Sequence, residues 1–236
     1  MRHTWMLICL LAALVACNHP TPDYVSTYAP PAPMTPTANV AVIGDSYANG
    51  STDGNQAWPA VVAALLQEQN INVDMQIAGP RGKSRRPMNK QVHDAVGPTT
   101  KLVVLFGSLN NSTSPAVDLS SGVSSAMAEA KKISSNARFL LIGPIWLDDT
   151  PPQNVLTARV MLRADAEAAG AAFIDPIGER WFTDQPNLFG PNMILDEAGH
   201  SYMAARMAPL IAEQLRSTPI NVPAALPPSD QPSPPR

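Results

Sequence analysis

The sequence predicts an α/β fold in which a parallel sheet of five strands lies between layers of helices. Five short apolar runs, each bounded by Gly, Pro or Asp, are typical of strands buried on both faces. Stretches with helical spacing fill the gaps between these runs, which indicates right-handed βαβ crossovers. Of the 25 prolines, 13 crowd into residues 18–37 and 218–236, so we expect one compact domain between two extended tails.

The predicted strands and helices alternate along the chain. We expect strands at residues 40–44, 73–77, 102–106, 139–143 and 172–175. We expect helices at residues 56–69, 85–96, 117–135, 154–170 and 197–216, of which the second has the weakest pattern. In the last helix the apolar residues recur at steps of three and four, which predicts a buried stripe.

The first 17 residues have the pattern of a bacterial export signal. Basic Arg2 is followed by the apolar run 5–15, which is too short to span a bilayer. The sequence Leu-Val-Ala-Cys that ends at Cys17 resembles a lipobox, and the alternative is an ordinary signal peptide with a chance cysteine. We therefore expect an exported protein that a lipid on Cys17 anchors to the bacterial cell membrane.

The remaining chain divides by composition into three parts. Residues 18–37 are predicted to form a Pro-rich tether, residues 38–217 the folded domain and residues 218–236 a disordered Pro-rich tail. Cys9 lies in the segment that would be removed, so the mature protein has no disulfide to stabilise it.

Composition also limits the partners of the domain. The formal net charge is -3 and there is no basic stripe, which argues against nucleic acid as a partner. The chain has neither the spacing of metal ligands nor a phosphate-binding Gly-rich loop. We expect a monomer without metal or cofactor.

A polar tripeptide, Gly44-Asp45-Ser46, directly follows the first predicted strand. Ligands of open α/β sheets bind at the carboxyl ends of the strands. Ser46 is therefore a candidate nucleophile, although a Ser after Asp is often only a turn or a helix cap.

Two further strands are followed by residues that could hold a negatively charged oxygen. Gly79 follows the second strand, and Gly107-Ser108-Leu109-Asn110 follows the third. A backbone N–H at Gly79 and the side-chain amide of Asn110 could form an oxyanion hole beside Ser46. Plain turns are the alternative reading of both segments.

Taken together and in order, these residues resemble the first three blocks of the GDSL or SGNH hydrolases, which are esterases and acyl hydrolases on a flavodoxin-like sheet. The resemblance covers about residues 38–216. It implies that Ser46 is the nucleophile and that its own N–H, the N–H of Gly79 and the side chain of Asn110 form the oxyanion hole. Gly82 can replace Gly79 if the loop is registered differently.

The fourth block of the family, Asp-x-x-His before the last helix, is not kept. Alignment on the start of that helix puts Pro191 at the position of the acid and Ile194 at the position of the histidine. Neither side chain can take a proton, and a serine hydroxyl is a weak nucleophile without a base.

His200, with Asp196 four residues before it, is the candidate replacement. Asp196 would orient the imidazole and His200 would act as the base. The alternative is that His200 only belongs to the first turn of the helix. The six residues from Ile194 to His200 correspond to about 9 Å along a helix, whereas a base must lie within about 3 Å of its proton.

Two functions follow from these residues. The first is a cell-envelope serine esterase that acts on a small ester or on an acylated glycan or lipid. The second is an inactive relative that keeps the cleft and binds cell-envelope ligands or partners. Ser46 and Asn110 favour the first, whereas Pro191 and Ile194 favour the second.

Overall fold

The computed structural model describes residues 37–44, 46–49, 57–79, 87–107, 115–190 and 194–217. Its strands are β1 Ala38–Ile43, β2 Val73–Ala78, β3 Thr100–Phe106, β4 Arg138–Ile142 and β5 Ala172–Ile174. Its helices are α1 Ser46–Asn49, α2 Trp58–Glu68, α3 Met88–Ala95, α4 Ala116–Ile133, α5 Gln153–Ala169 and α6 Glu197–Arg216. A short 3-10 turn, Pro186–Leu188, precedes α6.

The five strands form one parallel sheet in the order β2-β1-β3-β4-β5. This order puts β1 between β2 and β3, so the residues that follow these three strands meet at one edge. The predicted five-stranded parallel sheet is confirmed.

Alternate side chains of each strand enter two separate cores, one on each face of the sheet. Val40 and Val42 of β1 pack with α1, α2 and α6 on one face. Ala41 and Ile43 pack with α3, α4 and α5 on the other face. The fold therefore has the three layers that the sequence predicts, with helices on both faces of a buried sheet.

The observed helices differ from the predicted ones mainly at their amino ends. Helix α2 begins at Trp58 with Pro59 in its first turn, where proline costs no hydrogen bond. Helix α3 follows Pro87 and is shorter than predicted. The four-residue helix α1 is not predicted, because one helical turn is too short to show a periodic pattern.

Helix α6 has the predicted bounds and the predicted buried stripe. Met203, Met207 and Ile211 are fully buried, while Leu210 and Leu215 are partly buried against the same core. Within the described ranges, no helix has the length and apolar character needed to cross a membrane.

Candidate active site

Strands β1 and β2 end in two glycines whose backbones touch. The N–H of Gly44 donates to the Ala78 carbonyl at 3.3 Å. Gly79 has a φ of +149°, and a Cβ built on it would lie 2.3 Å from the Gly44 carbonyl oxygen. Only glycine fits this conformation and this contact. The predicted oxyanion-hole glycine is therefore fixed beside the end of the strand that leads to Ser46.

Helix α1 begins at Ser46 and is tied to both neighbouring strands. The Tyr47 ring is buried and meets the edge of Phe106 of β3 at 6.3 Å between centroids. The Asn49 side-chain amide donates to the Gly79 carbonyl. Sequence reasoning missed Asn49, since an Asn three residues after a Ser has no motif to mark it.

Strands β3 and β4 end at the same edge of the sheet, and each is followed by a glycine that bonds to the next strand. The N–H of Gly107, after β3, donates to the Ile142 carbonyl at 2.9 Å, and the N–H of Gly143, after β4, donates to the Ile174 carbonyl at 2.9 Å. The sheet edge predicted to hold the site is therefore continuous from β1 to β5.

Several predicted site residues lie outside the described part of the chain. These are Asn110, Gly82 and Pro191, together with the side chain of Ser46 and the lipidation site Cys17. Their roles stay predictions.

Ile194, predicted to stand at the family position of the catalytic histidine, lies shortly before α6. Its carbonyl accepts from the Gly190 N–H at 2.8 Å, and the next residue, Leu195, bridges to Phe189 in antiparallel register. Because the Ile194 side chain is a hydrocarbon, it cannot remove a proton from a serine.

Asp196 and His200, the predicted orienting acid and base, each contact another partner in the structure. The Asp196 carboxylate accepts from the Gly199 N–H at 2.8 Å and so caps the amino end of α6. The Nδ1 atom of His200 accepts from the Trp58 backbone N–H at 3.3 Å. Asp196 therefore does not orient Nδ1 of the imidazole, and the role of His200 as base stays a prediction.

The glycine before His200 allows α6 to begin close to the preceding turn. A Cβ on Gly199 would lie 2.1 Å from the Leu188 carbonyl oxygen, and the Asp196 N–H donates to that same carbonyl at 3.1 Å. This contact explains the Gly-His pair: Gly199 permits the close approach, and His200 then points into the core with 1% of its surface exposed.

The environment of His200 favours a neutral imidazole. Burial lowers the pKa of His200 below its ordinary 6.5, and the nearby Asp196 carboxylate offsets only part of this effect. Its Nε2 atom has no hydrogen-bond partner among the described residues.

His93, the other histidine in the described ranges, is exposed on α3. Its Nε2 lies 3.3 Å from Glu129 of α4, so it pairs with the neighbouring helix. In the same part of the chain, no group of three or more His, Cys, Asp or Glu side chains could hold a metal ion.

Gly79→Ala is expected to lower the free energy of unfolding by about 1–3 kcal/mol, because the new methyl group meets the Gly44 carbonyl and the residue must keep a positive φ. Urea denaturation measures this change. The matched control is Gly97→Ala, since a Cβ on Gly97 would meet nothing within 4 Å. Equal stability of the two variants would contradict the contact.

The fold and the motifs agree with a comparison to known families. Residues 42–227 match the model of the GDSL-like Lipase/Acylhydrolase family. The chain belongs to this family. The match includes Ser46, Gly79 and Asn110. It begins in the last two residues of β1 and covers strands β2 to β5 and helix α6.

Individual relatives point the same way. The chain is 34% identical over 190 residues to GDSL lipase Rv0518 of Mycobacterium tuberculosis, a match that covers 75% of this chain and 82% of the relative. Among solved structures, Axe2, an acetylxylan esterase from Geobacillus stearothermophilus, matches with a TM-score of 0.57 and 14% identity over 77% of this chain and 95% of that one.

A second structure is similar to the same extent. AlinE4, an SGNH-hydrolase family esterase, matches with a TM-score of 0.56 and 18% identity over 78% of this chain and all (100%) of that one. At such low identities the two structures establish the SGNH-type fold, and the family model carries the assignment to the family of hydrolases.

Proposed function

We propose that the chain is an exported carboxylic-ester hydrolase of the cell envelope that acts on a small ester or an acylated glycan or lipid. The backbone contact between Gly44 and Gly79 supports this proposal, because it brings the predicted oxyanion-hole glycine against the residue two positions before Ser46. Axe2 and AlinE4, which share the fold, are named as esterases, and this supports ester chemistry.

In the proposed reaction the Ser46 hydroxyl oxygen attacks the carbonyl carbon of the ester. The carbonyl oxygen becomes an oxyanion that accepts from the N–H of Ser46, the N–H of Gly79 and the side chain of Asn110. The alcohol leaves with a proton, and water then releases the acid from the acyl-serine, which restores the hydroxyl.

We expect this reaction to be slow. Pro191 and Ile194 stand where the family has its acid and its histidine, and a positioned base commonly contributes about 10²- to 10⁴-fold. The serine proton would then pass to solvent, which costs rate without changing the products.

Ser46→Ala is expected to reduce hydrolysis of a short-chain aryl ester to the rate of buffer alone, because the acyl-serine can no longer form. The assay follows release of the aryl alcohol by the purified chain. Ser135→Ala, at an exposed serine in the turn before β4, is the matched control and should keep the parent rate. The proposal fails if the parent is no faster than Ser46→Ala.

The second candidate is a protein that binds acylated envelope ligands without turnover, which Ile194 at the base position favours. In that case the parent and Ser46→Ala would bind an acetylated glycan equally and neither would release acetate. The lipid anchor on Cys17 is part of both candidates, and metabolic labelling of Cys17 with a radioactive fatty acid tests it.

A further inference from the structure

Helix α2 begins without a capping side chain of its own. Its N-cap is Ala57, which has no side-chain acceptor, although the first N–H groups of a helix have no partner within the helix. The orphan N–H of Trp58 instead donates to Nδ1 of His200, at 3.3 Å in a buried setting. The imidazole of α6 therefore supplies the acceptor that a Ser or Asp cap would normally supply.

Trp58 also reaches the residue next to the proposed nucleophile. Its indole N–H donates to the Tyr47 carbonyl at 3.0 Å, again in a buried setting. Tyr47 follows Ser46 in α1, and its ring is held against Phe106. The Trp58 side chain thus joins the carbonyl of Tyr47, the residue after Ser46, to the amino end of α2, where the Trp58 N–H donates to His200.

These contacts fix the tautomer of His200. Because Nδ1 accepts a hydrogen bond, the neutral ring carries its proton on Nε2. A proton on Nδ1 would face the Trp58 N–H, so two donors would oppose each other. The ring is therefore arranged to accept from Trp58, whereas a base that acts through Nε2 would need its proton on Nδ1.

We propose that His200 is a positioning residue: its Nδ1 atom holds the amino end of α2 and, through Trp58, sets the turn that presents Ser46. This inference rests on the proposed function for its effect on rate. It does not rest on that function for its effect on structure.

Two substitutions of His200 distinguish a positioning role from a role as the general base. In His200→Asn the side-chain oxygen can replace Nδ1 as acceptor but cannot take up a proton, whereas His200→Leu removes the acceptor and stays apolar. We expect the Asn variant to keep at least about half of the parent kcat for an aryl ester, and the Leu variant to lose about tenfold in kcat with little change in KM. His93→Leu, at the exposed histidine, should match the parent.

Other outcomes overturn the proposal. Equal and nearly complete loss of activity in the Asn and Leu variants would identify His200 as the base. Parent activity in both variants would show that its acceptor does not matter to the site.

A second measurement holds even if the parent hydrolyses no ester. The Trp58 amide should exchange with deuterium at similar rates in the parent, His200→Asn and His93→Leu, and about tenfold faster in His200→Leu. Nitrogen NMR of the parent should show an imidazole with its proton on Nε2. Unchanged exchange of the Trp58 amide in His200→Leu, or a proton on Nδ1 in the parent, would refute the positioning role of His200 independently of catalysis.

Discussion

Changing Pro191 to Asp and Ile194 to His together is expected to raise kcat/KM for a short-chain aryl ester by about 10²- to 10⁴-fold, the usual contribution of a positioned base. The two residues are predicted to stand where the family carries its acid and histidine, shortly before α6 in the sequence. An imidazole there would remove the Ser46 proton during attack, and the carboxylate would fix its tautomer.

The dependence of the hydrolysis rate on pH also tests this prediction. If His200 only positions the site, as proposed above, the parent rate should rise with pH without an inflection between about pH 5 and 8, whereas the double variant should show one. Ile194→Asn with Pro191→Asp is the matched variant that adds polarity without a base. A folded double variant with no gain over this control would contradict the assignment of these two positions to the missing acid and base.

Asp175→Asn is expected to lower the free energy of unfolding by about 1–3 kcal/mol, because it breaks an ionic cluster at the end of β5 in which the carboxylate is buried and the two arginines are partly exposed. The Asp175 carboxylate accepts from Arg159 Nε at 2.8 Å, from the Gly178 N–H at 3.0 Å and from Arg163. The neutral amide would leave both guanidinium groups of α5 facing a group without charge. Thermal or urea unfolding measures the loss.

The lowered pKa of Asp175 predicts how the free energy of unfolding depends on pH. Burial raises the pKa of Asp175, but hydrogen bonds from Arg159 and the Gly178 N–H outweigh it and hold the pKa below its ordinary 3.8. The unfolded chain therefore takes up this proton more readily, so the contribution of Asp175 is complete above about pH 4 and is lost as the pH falls further.

A comparison of unfolding at two pH values checks this direction. The stability gap between parent and Asp175→Asn should be full at pH 7 and narrower at pH 3. Asp118→Asn, at an exposed position in the first turn of α4, should cost less than about 1 kcal/mol. A gap that widened in acid would contradict the lowered pKa.

The fold was predictable because buried parallel strands have a strong sequence signal. All five strands were found within two residues of their observed ends, and α6 was predicted with its observed bounds. Among the other helices, the amino ends of α2 and α3 were missed by two and three residues, and Ala57 and Pro87 provide no capping side chain there. Such helices begin where tertiary contacts allow.

The site was predictable only where a residue type is forced by its backbone. Gly79 could be found because only glycine fits its φ and its contact with Gly44. The contact of His200 with Trp58 joins residues 142 positions apart, and no local pattern reports such a pairing. The cap formed by Asp196 did have a signal, because an Asp followed by Glu197 at the start of a helix is typical of an N-cap.

The two ends of the folded domain leave from the side of the sheet opposite to Ser46. Strand β1 enters at Ala38, and Arg138, the first residue of β4, binds the carbonyls of Gln214 and Ser217 at the end of α6. The length of a six-residue strand, about 20 Å, separates this side from the edge that holds Gly44. Whatever is joined to the residues before Ala38 therefore enters the fold on the side of the sheet away from the proposed ester-binding edge.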